Sequence, residues 1–450
     1  MSDRAPPPAR SGRSFGGSVV LSWVFVGLMS AMALGNNIAI ARVAGPDGRG
    51  LYGVAVAIVA LALPVLSLGL GSAATFHVGQ GIERGRVSAL NHLASLALVP
   101  LSAGVVAIVG ALEGGPPGTT ATLAVATAAL VLPAQVYVDL AKGWYLGQKR
   151  ALAYNLVAAL VIGLLLLLNL TTLRFGTHWV LLNFVVANWI VTVGLLATQL
   201  VRWREFVRPG LAFVRRSIAY GSRASLIALA DAALLRVDYL IMTPILGIAT
   251  VGIYAIADQI THLMSWAGLV AGRMMLAESS SDQGGDQAFD KLGLACRAMI
   301  PAMLGASALA AATLWWLVPA VFGARFADAY WGVLILLPAA LCKSLHALLS
   351  TYLAGRGVQN PVVTAGVVAV LTDVVLATVG ALTLGWLGVA AAKSVSYAVQ
   401  LGWVQRALAR HRPDDRMRWI LDRADLRRLR AFATRLLARR RGLGAPDDAR

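Results

Sequence analysis

The sequence LLRVDYLIMTPILGIATVGIY, residues 234–254, is apolar enough to cross a membrane but contains two charged side chains, Arg236 and Asp238. A third charged residue, Asp231, lies just before it. Near the centre of a bilayer each such charge costs about 2.5–3.5 kcal/mol on insertion scales, so these residues usually face a bundle interior or a water-filled cavity. The stretch therefore predicts a membrane helix whose polar face is turned away from lipid.

Composition extends this prediction to the whole chain. Of its 450 residues, 58% are hydrophobic and 13% are charged, with a mean hydropathy of +0.72, which is typical of an all-α polytopic membrane protein. The net charge of +18 comes from arginines that concentrate in the tails and in alternate connections, as the positive-inside rule expects. We therefore expect anionic membrane lipids, and no nucleic acid, as partners. Cys296 and Cys342 lack a ligand-spaced Cys or His partner, so no disulfide or metal is predicted.

Apolar runs of spanning length recur about twelve times. The predicted spans are 16–41, 50–78, 88–112, 119–146, 152–173, 178–201, 217–246, 250–277, 292–318, 329–354, 360–383 and 385–409. The alternation of basic connections predicts that both termini are cytoplasmic. Four arginines in the other connections are exceptions to this rule: Arg42, Arg49, Arg174 and Arg325.

A basic connection near the middle of the chain divides the spans into two sets of six. The predicted regions are a cytoplasmic tail (1–15), an N-lobe (16–201), a cytoplasmic linker (202–216), a C-lobe (217–409) and a basic cytoplasmic tail (410–450). In the last region apolar residues at helical spacing predict an amphipathic interfacial helix that binds anionic lipids. These residues are Leu426, Leu429, Ala433 and Leu436.

An internal repeat supports the division into two lobes. Gly45, Gly50, Tyr52 and Ala55 reappear 202 positions later (247 − 45 = 202), as Gly247, Gly252, Tyr254 and Ala257. At the same offset Asn36 falls opposite Asp238 and Leu34 opposite Arg236. Tight turns between helices need glycine in any case, but this need does not explain the constant offset of the tyrosine and the alanine. We therefore predict two six-helix lobes in parallel repeat with a substrate path between them.

Three motifs carry a resemblance to a known family. They are ARVAGPDGRGLYGVA (41–55), SLGLGSA (67–73) and LLRVDYLIMTPILGIATVGIYAIA (234–257). Together they resemble the polysaccharide-flippase branch of the multidrug/oligosaccharidyl-lipid/polysaccharide (MOP) transporter superfamily, over roughly residues 15–410. The resemblance implies a V-shaped two-lobe bundle that moves a lipid-linked oligosaccharide outward across the plasma (inner) membrane by alternating access. Twelve helices suit the multidrug and polysaccharide branches better than the lipid II flippase branch, whose members resemble fourteen-helix proteins.

The charged residues of the seventh span divide into two faces. At 100° per residue Asp231 and Asp238 share one face, and Arg236 lies more than a third of a turn from either. We interpret the carboxylates as an ion-coupling surface for a proton or sodium ion and Arg236 as a cation facing a diphosphate. In the eighth span Tyr254, Asp258 and His262 follow at steps of four, which suits a proton relay. Structural ion pairs and interhelical hydrogen bonds explain the same patterns.

Other embedded polar residues complete the predicted site. Lys343 and Lys393 are, with Arg236, the strongest candidates for a cationic substrate cavity, because a diphosphate needs charge-assisted donors. Arg42 is a further candidate, although a snorkelling arginine at the membrane interface would have the same position. Asp373 joins the ion-coupling candidates.

These observations favour a secondary transporter that needs no cofactor and acts as a monomer. No GxxxxGK[ST] motif is present, and the connections on the predicted outer side are too short for a glycosyltransferase site, so we expect no enzymatic activity. Two alternatives stay open. A drug/cation antiporter would use Asp231, Asp238, Asp258 and Asp373, whereas a membrane scaffold would have no use for charged residues in its spans.

Overall fold

The computed structural model describes residues 15–81, 84–113, 119–200, 207–281 and 286–413, together with 417–420, 422, 425 and 427. These residues form twelve α-helices and two short 3-10 turns, and none of them is in a β-strand, which confirms the predicted all-α class. The helices are α1 (Phe15–Ser67), α2 (Leu70–Gly79), α3 (Arg84–Glu113), α4 (Thr120–Gly147), α5 (Ala151–Thr172), α6 (Trp179–Leu200), α7 (Leu211–Leu246), α8 (Ile248–Met264), α9 (Trp266–Ser281), α10 (Asp286–Phe322), α11 (Ala329–Gly355) and α12 (Asn360–His411).

Eight helices of the described part are long and apolar enough to cross a membrane. Two of them, α1 and α12, each continue from one predicted span into the next through a glycine with positive φ, Gly45 (67°) or Gly385 (65°). A side chain is strained in this left-handed region, whereas glycine is not. The helix α7, which carries Asp231, Arg236 and Asp238, is not among the eight.

The second and the eighth predicted spans are each broken into two helices. The first part of the second span ends at Ser67. The span resumes as α2 after a left-handed turn at Leu68 and Gly69. The eighth span is interrupted at Ser265, between α8 and α9. The break therefore recurs in the second span of each predicted half.

The described residues fall into two compact units. Unit 1 contains residues up to 256 with 316–330 and 377–389, and unit 2 contains 257–315, 331–376 and the residues from 390 onward. The helix α7 packs against α1 and α2 and so belongs to unit 1. This grouping differs from a division at residues 202–216, and the six-plus-six lobes stay a prediction that the repeat supports.

Each unit has its own apolar core. In unit 1 the largest clusters join α1, α4, α5 and α6, with Val131, Leu165 and Phe184 among their buried members. In unit 2 one cluster joins α9, α10, α11 and both halves of α12, with Leu292 and Tyr352 among its buried members. Apolar side chains thus hold the helices together where they face one another.

The predicted linker and tail are described only in part. Helix α7 begins at Leu211, so Arg215 and Arg216 of the predicted linker are helical, and residues 202–206 lie outside the described part of the chain. At the start of the C-terminal tail Met417 and Trp419 pack against the core of unit 2. The Arg297 Nε atom of α10 also lies 2.7 Å from Asp425 Oδ2.

The apolar residues of the predicted tail helix lie outside the described residues, as does the N-terminal tail through residue 14. These apolar residues are Leu426, Leu429, Ala433 and Leu436. The amphipathic helix stays a prediction.

Two repeated glycines bring backbones into direct contact within unit 1. A Cβ atom added at Gly50 would overlap the carbonyl oxygen of Ile248, and one added at Gly252 would overlap the carbonyl oxygen of Pro46. The partners are themselves repeat equivalents, since both pairs differ by 202 positions (252 − 50 = 202 and 248 − 46 = 202). An approximate local twofold axis therefore relates the two contacts. The close approach of the backbones explains why both glycines are repeated.

We expect Gly50→Ala and Gly252→Ala each to destabilise the protein by about 1–3 kcal/mol, because the added methyl group has no space between the two backbones. The measurement is thermal unfolding of the purified protein in detergent. Gly194→Ala is the matched control, because a Cβ atom there meets nothing within 4 Å and alanine favours the helix. Equal unfolding temperatures for all three variants would contradict the close contact.

Candidate functional site

A buried ion pair connects α8 with the second half of α12 in unit 2. The Lys393 Nζ atom lies 3.7 Å from Asp258 Oδ1, and the side chains are only 1% and 9% exposed. An ammonium group buried to this extent must be paired, since removing one partner of a buried pair leaves an uncompensated charge. Lys393 and Asp258 therefore depend on each other for their charged forms.

One helical turn after Asp258, His262 contacts a second lysine. The Lys343 Nζ atom of α11 lies 2.8 Å from His262 Nδ1 and 5.3 Å from the centre of the Tyr397 ring. An ammonium group can only donate hydrogen bonds, so Nδ1 of this histidine accepts and carries no proton in this arrangement. The ring face of Tyr397 adds a favourable cation–π contact.

These five side chains line one small cavity. Its volume is about 10 Å³, and its remaining wall is formed by Thr261 and by apolar residues of α11. A cavity of this size holds about one water molecule and does not admit a diphosphate in this conformation. The lysines predicted for substrate binding and the Asp258–His262 pair predicted for ion coupling therefore form a single cluster, which we call the Lys–Asp–His cluster.

The seventh-span residues lie in unit 1 and have different environments. Asp238 is fully buried and accepts hydrogen bonds from the Tyr254 hydroxyl and from the backbone N–H of Tyr239. Asp231, on the same helix face, is exposed. The guanidinium carbon of Arg236 lies 5.1 Å from the centre of the Tyr239 ring. The two carboxylates that spacing places on one surface thus differ in burial.

The Asp238–Tyr254 hydrogen bond has a counterpart in the first half of the sequence. Asn36 and Tyr52 occupy the equivalent positions at the offset of 202, and their side chains are also hydrogen-bonded. The repeat has therefore preserved the contact and changed its acceptor from a neutral amide to a carboxyl group. Only the second copy has a group that can take up or release a proton.

Asn36 begins a chain of buried amides that the sequence analysis missed. Asn169 Nδ2 of α5 donates to Asn36 Oδ1 at 2.6 Å, and Asn183 Nδ2 of α6 donates to Asn169 Oδ1 at 2.7 Å. The signal was present in the sequence as single asparagines within apolar spans, but uncharged residues attract little attention in a search for embedded charge. Buried amides in a low-dielectric environment need such partners.

Arg49 is a second residue that the sequence analysis did not place in the site. It is buried in α1, and its guanidinium carbon lies 5.8 Å from the centre of the Tyr52 ring. A Cβ atom added at Gly53 would lie 3.4 Å from this guanidinium group and 3.2 Å from the Tyr239 ring. In the sequence, Arg49 was distinguished only as an exception to the positive-inside rule.

Two predicted site residues lie elsewhere. Arg42 donates from Nε to the carbonyl oxygen of Val321 at 2.7 Å and from its terminal nitrogen to that of Ala320, so it caps the last turn of α10. Asp373 is fully buried in the first half of α12. Neither residue lines the cavity of the Lys–Asp–His cluster.

Solved structures share this fold at low sequence identity. The structure titled "Lipid II flippase MurJ, inward closed conformation" has a TM-score of 0.70 and 12% identity, covering 86% of this chain and 87% of that one. An inward-facing multidrug resistance MATE family transporter of the MOP superfamily has a TM-score of 0.65 and 16% identity, covering 88% and 100%. An outward-facing structure of this kind has 0.57 and 18%, covering 90% and 98%. These likenesses show that the protein has the fold of the MOP transporters.

Comparison of sequences identifies the family. Among curated proteins, none matches this sequence significantly. A family model described as "Polysaccharide biosynthesis protein" matches residues 18–271, which is more than half of the chain and includes all three motifs that carry the resemblance. The chain is therefore a multi-pass membrane protein that belongs to the polysaccharide biosynthesis protein family.

Proposed function

We propose that this protein is a secondary transporter that flips a lipid-linked oligosaccharide, a polyprenyl-diphosphate glycan, across the plasma membrane by alternating access. The observation that carries the proposal is the excess of cations in the Lys–Asp–His cluster, where two lysines line a cavity together with a single carboxylate. Cations in apolar helices are costly and usually serve a function. A diphosphate is the part of a lipid-linked glycan that cationic side chains would recognise.

The ion pair of the cluster suggests how an ion and a substrate could compete. While Asp258 is charged, it holds Lys393, and the ammonium is not available to another anion. A proton on Asp258 removes this attraction and releases the lysine, at a cost that a phosphate oxygen can offset by accepting from Nζ. His262 adds a second group that changes charge near neutral pH, and its Nδ1 can accept from Lys343 only while it is unprotonated.

In unit 1 the cationic candidates are Arg236 and Arg49, each beside a tyrosine ring. Planar guanidinium groups suit bidentate recognition of phosphate oxygens better than ammonium groups do. Asp238 would supply the coupling carboxylate of this unit, because its hydrogen bond from Tyr254 links α7 with α8. In this proposal Asp373 is a secondary carboxylate of the coupling path, Asp231 lies outside that path because it is exposed, and Arg42 serves the helix end that it caps.

A drug/cation antiporter is the second candidate function. The buried carboxylates Asp238 and Asp373 favour it, and two of the structures with this fold are titled as multidrug resistance transporters. Acidic cavity walls attract organic cations, whereas the lysines of the Lys–Asp–His cluster repel them. In either case the protein would be a monomer, with cytoplasmic termini, coupled to a proton or sodium ion and without enzymatic activity.

The direct test is reconstitution into liposomes. We expect the wild-type protein to move a polyprenyl-diphosphate oligosaccharide between leaflets and to leave a lipophilic cationic dye unmoved. The variants Arg236→Ala and Lys343→Ala should lose most of this activity, because each removes a phosphate-directed cation. Arg208→Ala, in the exposed segment before α7, is the control and should retain it. Normal flipping by both site variants would refute the cationic assignment, and dye export in place of flipping would favour the antiporter.

Asp258→Asn should destabilise the protein by about 3–5 kcal/mol, because the buried Lys393 ammonium then has no counter-charge. The double variant Asp258→Asn/Lys393→Gln removes both charges and should recover normal membrane abundance. If Asp258 couples transport to an ion, the double variant should still fail to flip substrate in response to an imposed gradient. Recovery of transport together with abundance would reduce the pair to a structural role.

Asp238→Asn tests the difference between the two repeats. Asparagine can still accept from the Tyr254 hydroxyl, as Asn36 pairs with Tyr52, so we expect membrane abundance and unfolding temperature to stay close to the wild-type values. Gradient-driven flipping should fall to near the level of empty liposomes, because the amide cannot be protonated. Asp231→Asn is the matched control at an exposed position of the same helix. A fully active Asp238→Asn protein would remove Asp238 from the coupling path.

A further inference from the structure

A large pocket in unit 2 is separate from the residues proposed to act in transport. It lies where the connection after α11 meets the end of α12, and its volume is about 730 Å³. This is within the range of about 300–1,000 Å³ that is usual for small-molecule sites. None of the residues that line it belongs to the Lys–Asp–His cluster.

The polar lining of this pocket is basic. Arg406 and Arg410 are one helical turn apart, His411 follows, and all three side chains are exposed. No carboxylate is among the described residues that line the pocket, and within the described part of the chain neither arginine forms an ion pair. Among the described residues no counter-charge faces these two guanidinium groups, which share one wall and make a concave surface that attracts an anion.

Further features of the lining suit a phosphate group. Asn360 is the first residue of α12, and the amino end of a helix carries a partial positive charge. Thr364 accepts a hydrogen bond from Trp403 Nε1 at 3.1 Å, which fixes the indole ring against the opposite wall. Val358 and Ala407 pack against the apolar core of unit 2, so the floor of the pocket is firmly supported.

The position of the pocket indicates how the anion is presented. The pocket lies where one membrane-spanning helix ends at Gly355, where the next begins at Asn360, and where α12 ends at His411. Chain ends of spanning helices lie at the membrane surface, and exposed tryptophans such as Trp403 are enriched at that level. The sequence predicts that this side of the membrane faces the cytoplasm.

We propose that this pocket binds the phosphate headgroup of an anionic membrane lipid, with Arg406 and Arg410 as the phosphate ligands and Trp403 against the upper acyl or prenyl chain. Two lipids share this chemistry, a glycerophospholipid such as phosphatidylglycerol and a polyprenyl phosphate. The proposal does not rest on the transport function, since no residue of the pocket belongs to the proposed transport machinery.

The test is native mass spectrometry of the full-length protein in detergent, with phosphatidylglycerol, phosphatidylcholine of the same acyl chains, polyprenyl phosphate or inorganic phosphate added separately. We expect one phosphatidylglycerol or polyprenyl phosphate per chain to stay bound under conditions that strip phosphatidylcholine. Whichever of the two is retained more strongly identifies the source of the headgroup. Retention of inorganic phosphate alone would overturn the assignment to a lipid.

Three variants show whether binding occurs in this pocket. Arg406→Gln/Arg410→Gln should abolish the retained lipid, and Thr364→Phe should do so as well by filling the pocket while all charges stay in place. Arg215→Gln/Arg223→Gln removes two exposed arginines from α7 and should retain the lipid. Equal lipid retention by the two double arginine variants would overturn the proposal. Wild-type flipping by the pocket variants would leave the proposed transport function intact.

Discussion

A lysine that is almost completely buried among apolar helices must be paired, and the arrangement of unit 2 follows from this requirement. Lys393 is placed on α12 beside Asp258 of α8, and one turn further along α8 His262 accepts from Lys343 of α11. Removing one partner from such a pair costs about 3–5 kcal/mol, so the three helices are held in one register. The same dependence makes the cluster responsive, because a change in the charge of one member alters the stability of the others.

Unit 1 is organised by a different constraint, the close approach of backbones. The turn at Gly45 and the turn at Gly247 both have positive φ, and the helices that follow them meet at Gly50 and Gly252 with no space for a side chain. Small residues at helix contacts let backbones approach closely in a membrane, where the hydrophobic effect does not drive helices together. The repeated glycines thus have a packing role, and their spacing records the symmetry of the contact.

Asn36 and Asp238 occupy equivalent positions of the repeat but differ in their chemistry. Both side chains are buried and hydrogen-bonded to a repeated tyrosine. Asn36 continues into a neutral chain of asparagines, whereas Asp238 is an ionisable group. The first copy of the repeat therefore supplies a neutral polar contact between helices. The second copy retains this contact and replaces the amide with a carboxyl group, which can bind a proton.

The sequence by itself determined the all-α membrane class, the repeat and the identity of the embedded charges, because hydropathy, glycine turns and a constant offset are local properties of the chain. It did not determine which charges meet. Spacing on one helix placed Asp231 with Asp238, and the predicted roles assigned Lys393 to the substrate cavity and Asp258 to ion coupling. Packing instead buried Asp238, left Asp231 exposed and brought Lys393 to Asp258 from 135 positions away (393 − 258 = 135). Contacts between helices depend on how their faces pack, and periodicity along one helix contains no information about its neighbours.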